Sequence, residues 1–383
     1  MQAMPRPSMP VEREPLPTWV RVILLILLLA LFLLAIKLMG GAFKTLGKEQ
    51  AKALFEGISN PFAGLAVGIL ATVLVQSSSV TTATVVALVG GGDISIAYAV
   101  PMVMGANIGT SVTNTLVSMG HITRREEFRR AFAGATMHDF FNLMALVVLL
   151  PLELATGLLE KGARWLTTLL ATDPSGEGSF KSPIKVFFGA ISKHIQHFVT
   201  DVLGLTGWFA AGLLLVLALV MIVVALLYIT RIMRTLMAAR VERALNEVLG
   251  KRGVLAIVIG TIMTVAVQSS SITTSLLIPM IGAGVLSLEA AFPVTLGANL
   301  GTTVTGLLAA LAAGPAGLTI ALVHALFNLV GIILVYPIPS IRRIPIRLAQ
   351  GLANRAIENR AWVAVYIVGV FVVMPLLGIV LFK

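Results

Sequence analysis

Residues 76–82 read Gln-Ser-Ser-Ser-Val-Thr-Thr, and residues 268–274, 192 positions later, read Gln-Ser-Ser-Ser-Ile-Thr-Thr. The same offset carries Pro101, Gly105, Ala106, Asn107, Gly109, Thr110 and Thr113 onto Pro293, Gly297, Ala298, Asn299, Gly301, Thr302 and Thr305. From Gly68 to Thr113, 22 of 46 positions are identical to their counterparts. A third match sets His138-x-x-Phe141-Asn142 against His324-x-x-Phe327-Asn328, with the offset shortened to 186 by a loop difference. A chain with this pattern is constrained to two related halves. Both copies of the polar motif sit inside apolar sequence, and such interruptions at corresponding positions point to a site between repeats.

Composition sets the solvent. The chain of 383 residues is 57% hydrophobic and 12% charged, with a mean hydropathy of +0.97. A soluble domain carries roughly 25% charged residues, so a lipid bilayer is the expected surroundings. The net charge of +11 does not indicate nucleic acid. Its basic residues fall in short stretches between apolar runs, as the positive-inside bias requires, and no basic face with interleaved aromatics is visible. The absence of cysteine excludes disulfides, thiolate catalysis and Cys-ligated zinc.

The apolar runs give the topology. Residues 1–18 are polar and proline-rich and read as a disordered head. The run from Trp19 to Met39 is long enough to span, and Lys44, Lys48 and Lys52 recur at helical spacing, as in an interfacial helix. In 61–92, two apolar stretches of about half a bilayer each flank Gln76, which suits a re-entrant helical hairpin with a polar tip. Spans follow at 98–118 and 131–151, and then a mixed loop at 152–206 with amphipathic helices and turn signals at 173–176. The second half repeats the plan, with a span at 207–229, a basic linker at 231–252, a hairpin at 254–286, and spans at 291–313 and 318–336. A basic stretch and a last span complete 337–383. The expected organisation is therefore a first repeat over 19–151, the loop over 152–206, a second repeat over 207–336 and a terminal unit over 337–383.

Charge orients these segments. With the N-terminus inside, 18 of the 28 Lys and Arg residues lie on the inner side. Hairpin one then opens outward, hairpin two opens inward, and the C-terminus lies outside. Opposite opening of equivalent segments is the inverted-repeat arrangement. The fold class expected is an all-α polytopic membrane protein of two inverted-topology repeats, each with a re-entrant helical hairpin plus transmembrane helices.

The polar motifs suit an oxyanion. Ser77, Ser78, Ser79, Ser269, Ser270 and Ser271 offer hydroxyls, and helix N-termini at the hairpin breaks add free N–H groups and positive dipole ends. No Lys or Arg falls in these segments, so an anion there would rely on hydroxyls, amides and co-bound cations. Unwound carbonyls suit a small cation such as Na⁺. Serine and threonine in membrane helices also pack and bond back to carbonyls, but duplication of the whole motif favours a site. Gly105, Gly109, Gly297 and Gly301 read as packing residues, and Asn107 and Asn299 as either interhelical bonds or ligands. Asp139 is a carboxylate within an apolar span, which marks a functional candidate, and its counterpart is Ala325. His138 and His324 fit helix-bundle hydrogen bonding at least as well as a functional role.

At these residues the chain resembles the type II sodium-dependent phosphate cotransporters. The matching strings are both Gln-Ser-Ser-Ser-x-Thr-Thr segments, residues 104–115 and residues 128–142, within about 55–153 and 235–345. The resemblance implies coupled movement of Na⁺ and inorganic phosphate, with both tips contributing the phosphate site. It implies that Asp139 accompanies net charge movement, because an electroneutral family member lacks that acid. The loop at 152–206 lacks the cysteines and glycosylation signals of the animal proteins, which suits a prokaryotic member.

The expectation is an electrogenic Na⁺-coupled phosphate symporter of the cell (inner) membrane, multi-pass, working by alternating access. Phosphate would be held by the six serines, and Na⁺ sites would be shaped or supplied by Gln76, Gln268, Asn107, Asn299, Thr110, Thr302, Thr113 and Asp139. No cofactor beyond co-transported Na⁺ is expected, and no transition metal. Membrane lipid is a partner, nucleic acid is not, and a homo-oligomer is left open. The rivals are a transporter of sulfate or a dicarboxylate, an ion channel and, with no Ser/His or Ser/Lys arrangement to support it, a serine hydrolase.

Overall fold

The computed structural model describes residues 17–46, 60–171, 183–248 and 253–382. Most of the head, Lys48 and Lys52, the turn signals at 173–176 and the end of the second basic linker lie outside the described residues. Helices and their connections account for everything described, with no strand among the described residues. In hydrocarbon that is expected, since a helix satisfies its backbone within one segment.

The elements in chain order are α1 (Thr18–Leu46), α2 (Pro61–Val75), α3 (Ser78–Gly91), α4 (Ile96–Gly109), α5 (Val112–Ser118) and α6 (Arg125–Thr156). Next come α7 (Leu158–Ala171), α8 (Pro183–His197), α9 (Gly207–Val248), α10 (Val254–Val267), α11 (Ser270–Gly282), α12 (Leu288–Ala313), α13 (Pro315–Val335) and α14 (Pro339–Glu358). The last helix, α15 (Ala361–Leu381), contains a π turn at Gly369–Val373. Among the described residues, six helices are long and apolar enough to cross a membrane: α1, α6, α9, α12, α13 and α15. The apolar window of α12 is 72% buried and that of α15 is 17%, so α12 is central and α15 lines the rim.

The segments 61–92 and 254–286 each form two short helices broken at the glutamine, α2 with α3 and α10 with α11. Inside each half the first short helix packs against the helix that follows the broken pair, α2 on α4 and α10 on α12. The contact is backbone-close, because a Cβ on Gly68 or Gly105, or on their counterparts Gly260 or Gly297, would strike a carbonyl oxygen of the facing helix. The second short helices cross over. α3 packs against α12 and α13 of the other half, and α11 against α5 and α6. Val86 of α3 joins one core cluster with Ala309 and Ala313, while Leu277 and Ile281 of α11 join another with Phe132 and Met137.

Three expectations shift. α1 continues through Lys44 to Leu46, so that lysine closes α1 rather than opening a separate interfacial helix. The continuous span expected at 98–118 is interrupted at Thr110 and Ser111, whereas its counterpart α12 runs unbroken. Ser111 turns its hydroxyl across to His138 Nδ1 at 3.2 Å, while the equivalent Thr303 bonds back to the Leu300 carbonyl at 2.7 Å. The span expected at 131–151 lengthens to Arg125–Thr156. Its end is a cap in which Glu153 accepts the Leu159 and Glu160 amides of α7 at 2.6 and 3.1 Å.

Candidate site between the two broken helices

The break at each tip follows from one residue. Gln76 and Gln268 have φ of 55° and 56°, and among the described residues they alone are non-glycine residues in the left-handed region. Side chains other than glycine cost roughly 1–3 kcal/mol there unless the surroundings enforce it. The glutamine side chain supplies the compensation. Its Nε2 donates back to the Val73 carbonyl at 2.5 Å in one copy and to the Val265 carbonyl at 2.7 Å in the other. These are carbonyls that the ending helix leaves without an intrahelical donor. The amide oxygen then accepts from Thr113 at 3.1 Å and from Thr305 at 3.4 Å.

One residue later a new helix starts. Ser77 and Ser269 are extended, at φ −153° and −159°, and their hydroxyls accept from the Val80 and Ile272 amides at 3.3 and 3.4 Å. Serine at an N-cap satisfies one orphan donor of the first turn. The amides of Ser78, Ser79, Ser270 and Ser271 keep no intrahelical acceptor. Two helix N-termini with the same equipment are thus built by the same five-residue logic.

These tips meet in one cavity of about 250 Å³, lined by Gln76 to Val80 from one tip and Gln268 to Ile272 from the other. Val223, Leu226, Leu227 and Thr230 of α9 close its side. Thr230 also donates to the Gln268 carbonyl at 3.5 Å. Among the described residues, no Lys, Arg, Asp or Glu lines the cavity. Its electrostatics come from two positive helix ends, hydroxyls and amides, a set that suits an oxyanion by donors rather than by a fixed cation.

The remaining predicted residues lie behind this lining. Thr110 and Thr302 turn their hydroxyls to the Ala106 and Ala298 carbonyls at 3.1 and 3.0 Å. Asn107 donates to Asn328 at 2.8 Å and receives His324 Nε2 at 3.2 Å. Asn299 donates to Asn142 at 2.7 Å and pairs with His138 Nε2. The asparagine of each Gly-Ala-Asn string is therefore held by the His-x-x-x-Asn pair of the opposite half. Asp139, 6% exposed, accepts from the Tyr366 hydroxyl of α15, and its other oxygen has no partner among the described residues.

The sequence placed a span at 207–229 but gave no site role to that helix, to Thr230 or to Tyr366, none of which belongs to the repeated strings. It quoted Asn142 and Asn328 but gave them no role, although their recurrence four residues after a histidine was the available signal. Among the described residues, no group of three or more His, Cys, Asp or Glu side chains gathers to hold a metal ion.

The sequence profile described as Na+/Pi-cotransporter matches residues 31–156 and 221–344. The chain belongs to the Na⁺/Pi-cotransporter family. It is 36% identical to sodium-dependent phosphate transport protein 2A of Ovis aries over 95% of this chain and 70% of that protein. It is 36% identical to protein 2A of Rattus norvegicus over 91% of this chain and 65% of that protein. Against protein 2B of Homo sapiens it is 35% identical over 93% of this chain and 64% of that protein. The chain thus spans about two thirds of the length of these relatives. No solved structure matches it. The matched residues include both glutamine–serine tips, the Gly-Ala-Asn strings and Asp139, so the family resemblance covers the cavity and most of the helices behind it.

Proposed function

We propose that this chain is a Na⁺-coupled symporter of inorganic phosphate, electrogenic and working by alternating access in the cell (inner) membrane. The observation that carries the reading is that both Gln-Ser-Ser-Ser tips, far apart in sequence, line a single cavity. Family membership and the names of the relatives supply the substrate and the coupling ion.

In this reading the two halves are inverted-topology repeats, and the pairs α2–α3 and α10–α11 are re-entrant hairpins entering from opposite faces. Support comes from the charge distribution and from the crossed packing of α3 and α11. Phosphate sits between the tips and accepts from the hydroxyls of Ser77, Ser78, Ser79, Ser269, Ser270 and Ser271 and from backbone amides of the first helical turns. Its charge is balanced by co-bound Na⁺, with no fixed cation to release at the end of the cycle. Oxygen donors for Na⁺ come from Gln76, Gln268, Thr110, Thr302 and Thr113, and from Asp139 for the ion that sets net charge. Asn107 and Asn299 shape these sites, since their amides already hold the opposite half. No cofactor other than the transported Na⁺ enters this scheme. Leu226 and Leu227 of α9 give the cavity an apolar lining on one side.

The test is phosphate uptake into proteoliposomes under separately imposed Na⁺ and voltage gradients. Uptake against a phosphate gradient, abolished by collapse of the Na⁺ gradient and accelerated by an inside-negative potential, is the expected result. Uptake that ignores Na⁺, or that sulfate or a dicarboxylate suppresses as well as phosphate does, would refute the assignment.

A further inference from the structure

A second polar cavity lies outside the transport site. It has a volume of about 410 Å³ and opens between the start of α6, the turn that closes the α10–α11 pair, and α14. Arg129 and Arg130 of α6, Ser287 and Glu289 at the start of α12, and Gln350 and Asn354 of α14 supply its polar lining. Gln350 and Asn354 are four apart on one helix, so both face the same groove. Arg130 is partly buried and has a fixed position because its Nε donates to the Gly282 carbonyl at 2.9 Å, whereas the Arg129 side chain is 41% exposed. Arg129 pairs with Glu126 at 2.9 Å, whereas among the described residues Arg130 has no carboxylate partner. Glu289, exposed at the rim, is the single acid in the lining among the described residues.

The surroundings are basic as well. α14 buries Ile346, Ala349, Ala353 and Ala356 on one face and carries Arg342, Arg343, Arg347 and Arg355. That buried face packs on α6, and the arginines of the helix add positive charge of the kind that draws anionic headgroups. Arginine's planar fork matches two oxygens of a phosphate, and the carboxamides add neutral donors alongside.

We propose that this cavity binds a phosphate-bearing anion on the basic face of the protein, held chiefly by Arg130 with Arg129, Gln350 and Asn354. Two sources share that chemistry: the headgroup of an anionic phospholipid, and free orthophosphate on that face. Arg130 also donates to Gly282 at the base of the second broken pair, so an anion held there sits against the turn from Gly282 to Ser287.

The experiment uses the full chain in phosphatidylcholine nanodiscs, with and without phosphatidylglycerol, and compares wild type with Arg129→Gln/Arg130→Gln and with Glu289→Gln. Thermal unfolding measures the lipid arm. Equilibrium binding of labelled orthophosphate in Na⁺ measures the free-phosphate arm. For a lipid ligand, phosphatidylglycerol raises the melting temperature of wild type. The double variant then weakens the apparent lipid affinity about tenfold, the scale of losing a charge-assisted bond, and Glu289→Gln strengthens it. For free phosphate, wild type binds one more equivalent than the double variant, whatever the lipid. The opposite sign expected of Glu289→Gln keeps the test decisive should the double variant fold poorly. Lipid response and phosphate stoichiometry unchanged in both variants would overturn the proposal.

Discussion

Asn107 of the first half donates its side-chain amide to Asn328 of the second at 2.8 Å, and Asn299 and Asn142 repeat the bond in the opposite sense at 2.7 Å. With His324 and His138 on the same asparagines, each half is locked to the other by side chains buried in the centre. A typical interhelical bond in a membrane protein contributes about 0.6 kcal/mol, but an amide orphaned in a buried network loses about 1–3 kcal/mol. Asn328→Ala should therefore destabilise by about 1–3 kcal/mol in a reversible unfolding assay. A double-mutant cycle with Asn107→Ala should return a coupling of about 1 kcal/mol or more. Additive losses would mean that the two amides do not act together.

Gln76 does two jobs that a smaller residue separates. Gly at position 76 accepts φ 55° freely, yet loses both the donation to Val73 and the acceptance from Thr113. Gln76→Gly should keep the fold and lower phosphate uptake by about tenfold or more, and Gln268→Gly should match it. Thr113→Val, which removes the mirrored donor while sparing the backbone, should give a smaller loss on the same assay. Wild-type uptake in Gln76→Gly would show that the side chain serves neither tip nor ion.

Recognition in the sequence was uneven, for physical reasons. The tips were legible because a Gln-Ser-Ser-Ser run in hydrocarbon is costly, and its duplication indicates two copies of one device. The crossing of α3 and α11 into opposite halves was not, since Val86 and Leu277 look alike whichever helix they pack on. The break at Thr110 and Ser111 depends on His138, 27 residues downstream of Ser111, so local composition at 98–118 reads as an unbroken span. Tyr366 and Thr230 escaped notice because each is a lone polar group on a helix with no repeat to draw attention to it.

Glycine at the α2–α4 contact is a matter of space rather than of dihedral angle. A Cβ on Gly105 would collide with the Leu65 carbonyl oxygen, a backbone atom that cannot rotate away. Gly92, by contrast, sits at φ 85° with nothing among the described residues within 4 Å of its Cβ position, so alanine there carries only local strain. Gly105→Ala and Gly297→Ala should each cost about 1–3 kcal/mol and displace the paired half-helix, lowering uptake. Gly92→Ala should cost about 1–2 kcal/mol and leave uptake near wild type. Melting curves set beside initial uptake rates separate the two kinds of cost.

Asp93, at the base of the first broken pair, is half-buried, and one of its oxygens has no partner among the described residues. Burial pushes its carboxyl up from 3.8 to about 7, against an opposing pull from Lys44. The folded state holds this proton more tightly than the unfolded chain does. Its contribution is therefore full below the unfolded value and is lost as pH rises through about 7. Asp93→Asn should match wild type in melting temperature below the unfolded value of 3.8, gain a margin that widens up to about pH 7, and hold that margin level above it. Parallel pH profiles for the two proteins would contradict this account of Asp93.

Asp139 is buried and accepts from Tyr366 with one oxygen, while its other oxygen has no hydrogen-bond partner among the described residues. An ion bound there would bring its charge into the membrane field, where one elementary charge corresponds to about 2.3 kcal/mol per 100 mV. Asp139→Gly should therefore remove net charge movement per phosphate while leaving Na⁺-driven uptake measurable. Tyr366→Phe retains the carboxylate, so it should keep the charge stoichiometry and change only the apparent Na⁺ affinity. Simultaneous recording of current and labelled phosphate uptake gives the ratio directly. If Asp139→Gly carries the wild-type current per phosphate, the charge-setting ion binds elsewhere.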